Sequence, residues 1–141
     1  MLFCIIHEMS HVAVGMALKM KVEKIEIMSF GLSVSFYKDL NDNIIKEILV
    51  ALAGPLMSLA LAILSCKIEF AFATIQENVY SNILIFLFNL IPIYPLDGGR
   101  IIKGILHIIF GSEKSEYLIN KISKVTIIIL TIISSIAVFY Y

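Results

Sequence analysis

The chain has 141 residues, of which 60% are hydrophobic and 16% are charged, with a formal net charge of zero and a mean hydropathy of +0.95. Soluble domains carry about 25% charged and about 45–50% apolar residues, so this composition indicates an integral membrane protein. The neutral balance gives no basis for expecting nucleic-acid binding. Cys4 and Cys66 lie in or beside apolar stretches and form no disulfide framework.

Four apolar segments are candidates for crossing a bilayer, since a spanning helix needs about 20 residues and at least about 17. Basic residues are concentrated in the first and third connections between these segments, which the positive-inside rule places in the cytoplasm. The expected fold class is therefore an all-α polytopic membrane protein with about four transmembrane helices. The segments cover residues 1–18, 44–65, 79–94 and 122–141.

The first connection contains two runs with period-two alternation, within "KVEKIEIMSFGLSVSFY". In the second run, Leu32, Val34 and Phe36 alternate with serines, and Ser29-Phe30-Gly31 separates the two runs. Alternation of this kind is typical of half-buried strands, and the separating residues suit a turn. The sequence therefore predicts a small β-hairpin at the cytoplasmic face.

An ionisable cluster interrupts the first apolar segment, in "IIHEMSHVAV". His7 and His11 are four residues apart and share one helix face, and Glu8 follows His7. This H-E-x-x-H spacing lets two imidazoles reach one zinc ion while the glutamate acts on water. The alternative is an accidental match with histidines hydrogen-bonded between helices. A carboxylate at the centre of a membrane helix costs about 2.5–3.5 kcal/mol, however, and a bound cation offsets that cost.

Catalytic zinc usually takes three protein ligands, so a third ligand is expected elsewhere in the chain. Asp97 is the first candidate, because prolines before it and glycines after it present it from an irregular segment, "NLIPIYPLDGGRI". Irregular backbone at membrane depth is tolerated only inside protein or beside a cavity. His107 is the second candidate. The remaining alternative is an ordinary helix end at which Asp97 is solvated or paired with Arg100.

Three motifs together resemble those of the site-2 proteases, a family of zinc-dependent intramembrane proteases. "HEMSH", "ALAGPLMSLALA" and "NLIPIYPLDGGR" occur in the family's order, and the resemblance covers residues 2–100. It implies that His7, His11 and Asp97 bind zinc, that Glu8 is the general base, and that Asn89 lies near the substrate. An interhelical hydrogen bond is an equally good explanation of Asn89.

The short connections and "MSFGLSVSF" are similar to the sporulation subgroup of that family, which releases a sigma factor from a membrane-tethered precursor. The resemblance implies a membrane-tethered protein substrate and an inhibitory membrane partner. It also implies that residues 1–141 form a single protease core that lacks a flanking helix at each end. The hairpin edge at Leu32, Val34 and Phe36 is then expected to hold an unwound substrate by strand addition.

Two other classes of protein remain open from the residues alone. One is a proton- or metal-ion-conducting transporter that uses the His/Glu cluster. The other is a non-catalytic protein with a structural metal, although no convincing fourth ligand is present for it. In the second apolar segment, Gly54 and Pro55 either kink the helix near the site or serve only close helix packing.

Overall fold

The computed structural model describes residues 2–20, 22–28, 31–36, 43–67 and 74–140, with side chains described for 2–20, 43–66 and 78–140. Within these ranges the chain forms five helices and one pair of strands. In chain order they are α1 (Leu2–Ala17), β1 (Val22–Met28), β2 (Gly31–Phe36), α2 (Ile44–Lys67), α3 (Thr74–Asn89), α4 (Asp97–Phe110) and α5 (Ser112–Tyr140).

Two of the described helices are long and apolar enough to cross a bilayer. The spans are Ile44–Cys66 in α2 and Ser112–Tyr140 in α5, each with a mean hydropathy of 2.3. Helices α1 and α3 have 16 residues each, slightly less than the ~17 that a span needs. Four transmembrane helices therefore remain a prediction.

The last apolar helix differs from the segment expected at 122–141. It begins ten residues earlier, at Ser112, and it is preceded by a separate helix, α4. Gly111 separates the two helices with φ 83°, a conformation that favours glycine, and its N–H donates to the carbonyl of His107. The expected connection after Asp97 is thus largely helical.

Helix α2 lies at the centre of the helical packing and contacts α1, α3 and α4. Its buried positions are mostly small: Ala51 and Ser58 have no exposed surface, and Ala62 is 3% exposed. Small residues let helix backbones approach closely, which dispersion forces and hydrogen bonds then stabilise in a membrane. Gly54 and Pro55 are also buried on this helix, as expected for residues at a close helix contact.

Strands β1 and β2 pair antiparallel, with Ile25 opposite Val34 and Ile27 opposite Leu32. The register is irregular next to Val22. Both strands contact α1, and β2 does so more extensively. The backbone of β2 therefore runs beside the helix that carries the H-E-x-x-H motif.

The loop between α3 and α4 is folded tightly against the first turn of α4. A Cβ atom added to Gly98 would lie 2.5 Å from the carbonyl carbon of Leu90, and one added to Gly99 would lie 2.5 Å from that of Ile93. No side chain fits at these distances, so the two glycines permit the approach of the two backbones. This packing places Asp97 at the start of α4, directed into the protein.

Candidate metal centre

Three ionisable side chains from α1 and α4 converge in the protein interior. His7 and His11 are 2% and 4% exposed, and Asp97 is 6% exposed. The Nε2 atom of His7 lies 3.1 Å from Oδ2 of Asp97, and Nε2 of His11 lies 3.3 Å from the same oxygen. Asp97 thus lies next to the two histidines. From the sequence alone, this placement was one of several possibilities.

The other ring nitrogen of each histidine is bound by α2. Nδ1 of His11 lies 2.7 Å from the carbonyl oxygen of Val50, and Nδ1 of His7 lies 2.9 Å from Oγ of Ser58. A carbonyl only accepts, so the Nδ1 of His11 carries a proton and a neutral ring presents the lone pair of Nε2. Both rings turn Nε2 toward Asp97.

Gly54 of α2 faces the same point. A Cβ atom added there would lie 2.5 Å from both Cε1 of His11 and Nε2 of His7, which no side chain can do without displacing the rings. The glycine therefore keeps free the space between the imidazoles that a methyl group would fill. Two imidazole nitrogens and one carboxylate are a donor set that catalytic zinc takes. The residues present fit a zinc ion.

Glu8 lies beside this donor set and is half-buried. One carboxylate oxygen of Glu8 and one ring nitrogen from each of His7 and His11 lie within 4.8 Å of one another. A general base must be within hydrogen-bond reach of the water that it deprotonates. The position of Glu8 is compatible with that requirement.

The ion pair between Asp97 and Arg100, which was considered as an alternative role for Asp97, is also present. Nη1 of Arg100 lies 3.8 Å from Oδ1 of Asp97, while Oδ2 faces the histidines. The two contacts use different oxygens, so they do not exclude each other. Asp97 is buried, which argues against the solvated helix end.

The remaining candidates lie outside this donor set. His107 is half-buried in the last turn of α4, ten residues after Asp97 and therefore about 15 Å further along the helix axis. Asn89 ends α3, where its Nδ2 donates to the carbonyl of Ile85 at 3.0 Å, a bond within its own helix.

Sequence reasoning missed two groups of α2 that hold the histidine rings, Ser58 and the carbonyl of Val50. Ser58 stands four residues after Gly54 in "GPLMS", on the same helix face. That spacing was the available signal for Ser58. A backbone carbonyl has no such signal, because every residue carries one.

The fold is similar to that of a solved structure, the site-2 protease from Methanocaldococcus jannaschii. The TM-score is 0.74 at 27% sequence identity, and the match covers 94% of this chain and 63% of that chain. Residues 67–133 match the family model described as Peptidase family M50. The chain is thus similar to the site-2 class of metalloproteases in both sequence and fold.

Curated relatives are similar over a larger part of the chain than the family model. A zinc metalloprotease from Methanocaldococcus jannaschii is 31% identical over 128 residues, 85% of this chain and 37% of the relative. Stage IV sporulation protein FB of Bacillus subtilis is 27% identical over 107 residues, 72% of this chain and 37% of that protein. The chain thus spans little more than a third of the length of these relatives. The resemblance inferred from the three motifs is confirmed.

Proposed function

We propose that this chain is the core of an intramembrane zinc metalloprotease, which hydrolyses a peptide bond in or near a transmembrane segment of a membrane-tethered protein. The observation that carries the proposal is the convergence of Nε2 of His7, Nε2 of His11 and Oδ2 of Asp97 beside Gly54. The match of residues 67–133 to Peptidase family M50 supports the reaction type.

In this proposal His7, His11 and Asp97 hold Zn²⁺, and Glu8 is the general base. When bound, zinc polarises the scissile carbonyl and makes water at the site more acidic. Glu8 accepts a proton from the attacking water and delivers it to the nitrogen of the leaving amine. The site is closed to bulk solvent on the histidine side, which strengthens these electrostatic effects.

The substrate segment has to be extended before its carbonyls can be attacked, because a helix uses them in its own hydrogen bonds. Strand β2 pairs with β1 along one edge and runs beside α1. We propose that its other edge receives the extended substrate by strand addition at Leu32, Val34 and Phe36. Asn89, at the end of α3, is the proposed polar contact to the substrate.

The cellular setting follows from the charge distribution and from the relatives. We propose a multi-pass protein on the basis of the four apolar segments. The lysines in and around β1 and β2 favour an active site toward the cytoplasm. Similarity to stage IV sporulation protein FB supports a role in sporulation. We propose, from the resemblance of the sequence motifs, that the substrate is a sporulation pro-sigma factor and that an inhibitory membrane protein is a partner.

The transporter alternative is not favoured. A conducting path needs polar groups distributed across the membrane. The buried ionisable groups among the described side chains are His7, His11 and Asp97, and they form one local cluster.

The test is Glu8→Gln in the full chain, reconstituted with a membrane-tethered substrate. Glutamine keeps the shape of the side chain but cannot take a proton. We expect cleavage to fall below about a tenth of wild type, because a general base typically contributes about 10²–10⁴-fold. Zinc content should stay unchanged. Glu113→Gln, at an exposed position of α5, is the matched control. Cleavage above that level would exclude Glu8 as the base, and joint loss of zinc would make it a metal ligand instead.

A further inference from the structure

Ser58 is a fully buried polar residue of α2, and its hydroxyl faces the ring of a proposed metal ligand. It has no exposed surface, and its Oγ lies 2.9 Å from Nδ1 of His7. We infer that Ser58 is a positioning residue, which holds His7 in the tautomer and orientation that present Nε2 to zinc. The inference rests on the proposed metal site.

The direction of the hydrogen bond follows from the geometry around His7. Its Nε2 faces Asp97 at 3.1 Å and the space beside Gly54, so Nε2 is the atom that meets a metal. A neutral imidazole that ligates through Nε2 carries its proton on Nδ1. Nδ1 therefore donates, and the oxygen of Ser58 accepts. The opposite tautomer would direct an N–H at the other donor atoms and block the site.

The two histidines are held by groups of different kinds. Val50 holds His11 through a carbonyl, which can only accept a hydrogen bond. A hydroxyl both donates and accepts, so Ser58 alone does not fix the tautomer of His7. The tautomer is fixed when Nε2 of His7 also binds the metal, because the proton must then lie on Nδ1. A substitution of Ser58 removes its contact with His7, because that contact is made by a side chain. The contact between His11 and the backbone carbonyl of Val50 is unchanged in the same variant.

Because Ser58 and His7 are buried, water cannot easily replace the Ser58 hydroxyl as the hydrogen-bond partner of His7. His7 is 2% exposed and Ser58 is 0% exposed, so water does not reach Nδ1 from outside. Without Ser58, the N–H of the metal-binding tautomer loses its acceptor, which disfavours that tautomer. Loss of the partner that orients a ligating histidine typically weakens metal affinity by about 10–100-fold.

The experiment compares Ser58→Ala with Ser10→Ala in the purified full chain in detergent micelles. Ser10 is also buried, at 6% exposure, and it donates at 2.5 Å to the backbone carbonyl of His7 rather than to the ring. Zinc affinity is measured by competition with a chelator, and the absorption spectrum of bound Co²⁺ reports ligand geometry. We expect Ser58→Ala to weaken zinc binding about 10–100-fold and to alter the Co²⁺ spectrum, with Ser10→Ala unchanged.

Two further variants keep the result interpretable. Ser58→Thr retains the hydroxyl and should bind zinc more tightly than Ser58→Ala. If Ser58→Ala does not unfold cooperatively, Ser58→Gly removes the same hydroxyl with less side-chain volume. Wild-type affinity in a folded Ser58→Ala or Ser58→Gly variant would overturn the inference. Equal weakening by Ser10→Ala would also overturn it, since packing would then be the cause.

The outcome for the wild-type chain separates this inference from the proposed function. A wild-type chain that binds no zinc overturns the metal site and the inference with it. Zinc binding by the wild type that is insensitive to the loss of Ser58 overturns the inference alone. The Glu8→Gln experiment stands independently, because it tests the base and not the metal ligands.

Discussion

The backbone N–H of Tyr94 donates a hydrogen bond to Oγ of Ser123 at 2.9 Å. Ser123 belongs to α5 and is 7% exposed, and Tyr94 lies three residues before Asp97. Nζ of Lys103 in α4 lies 5.0 Å from the centre of the Tyr94 ring. Helix α5 therefore stabilises the loop that precedes Asp97, the proposed third zinc ligand. Helix α5 itself contributes no residue to the donor set.

Ser123→Ala should lower both stability and zinc affinity. Loss of one hydrogen bond of this kind costs about 0.5–1.5 kcal/mol, and the freed loop holds Asp97 less firmly. Chemical unfolding in micelles and chelator competition measure the two effects. Ser135→Ala is the control, because Ser135 is an exposed residue of the same helix whose Oγ donates to Thr131. Equal stability and equal zinc affinity of the two variants would show that Ser123 does not stabilise the loop before Asp97.

Asp97→Ala should weaken zinc binding and stop cleavage, whereas His107→Ala should do neither. Asp97 Oδ2 lies within 3.3 Å of Nε2 in both histidines, while His107 lies near the other end of α4. Zinc content after dialysis and cleavage of a membrane-tethered substrate are the measurements. The assignment of the third ligand is wrong if His107→Ala loses zinc and Asp97→Ala keeps it.

Gly54→Ala should abolish zinc binding even though it adds only one methyl group. That methyl would occupy the space between the two imidazoles and displace Nε2 of His7. Gly104→Ala is the matched control, since its Cβ would lie 2.5 Å from Cγ1 of Ile48, an aliphatic side chain, and not from an imidazole ring. We expect Gly104→Ala to lower the unfolding temperature but to retain zinc. Stoichiometric zinc in Gly54→Ala would show that the metal does not bind beside Gly54.

Val34→Pro should raise the substrate concentration needed for cleavage and leave the zinc content unchanged. Proline removes one backbone N–H of β2 and disrupts its edge, while the metal ligands lie on helices. Val34→Ala keeps the N–H and serves as control. Zinc content, protein yield and cleavage rate are measured together. Normal yield with unaltered cleavage would exclude strand addition at β2, and joint loss of zinc and yield would assign β2 to folding.

Local features of the candidate site could be predicted from the sequence. His7, Glu8 and His11 lie within five residues of one helix, so their mutual placement depends only on helical periodicity. The membrane class likewise follows from composition, which needs no knowledge of packing. The Pro- and Gly-rich segment also indicated Asp97 as a candidate ligand from local sequence. Proline restricts the backbone and glycine frees it wherever they occur.

Tertiary structure decided the relationships between distant segments. Asp97 and His107 are both chemically competent ligands, and the packing of α4 against α2 brings the first of them to His7 and His11. The groups that orient the histidines were beyond prediction for the same reason. Ser58 is one of many serines, and the carbonyl of Val50 resembles every other carbonyl until α1 and α2 are placed side by side. Residue spacing along one helix is set by covalent geometry, whereas contacts between helices depend on how all their side chains pack at once.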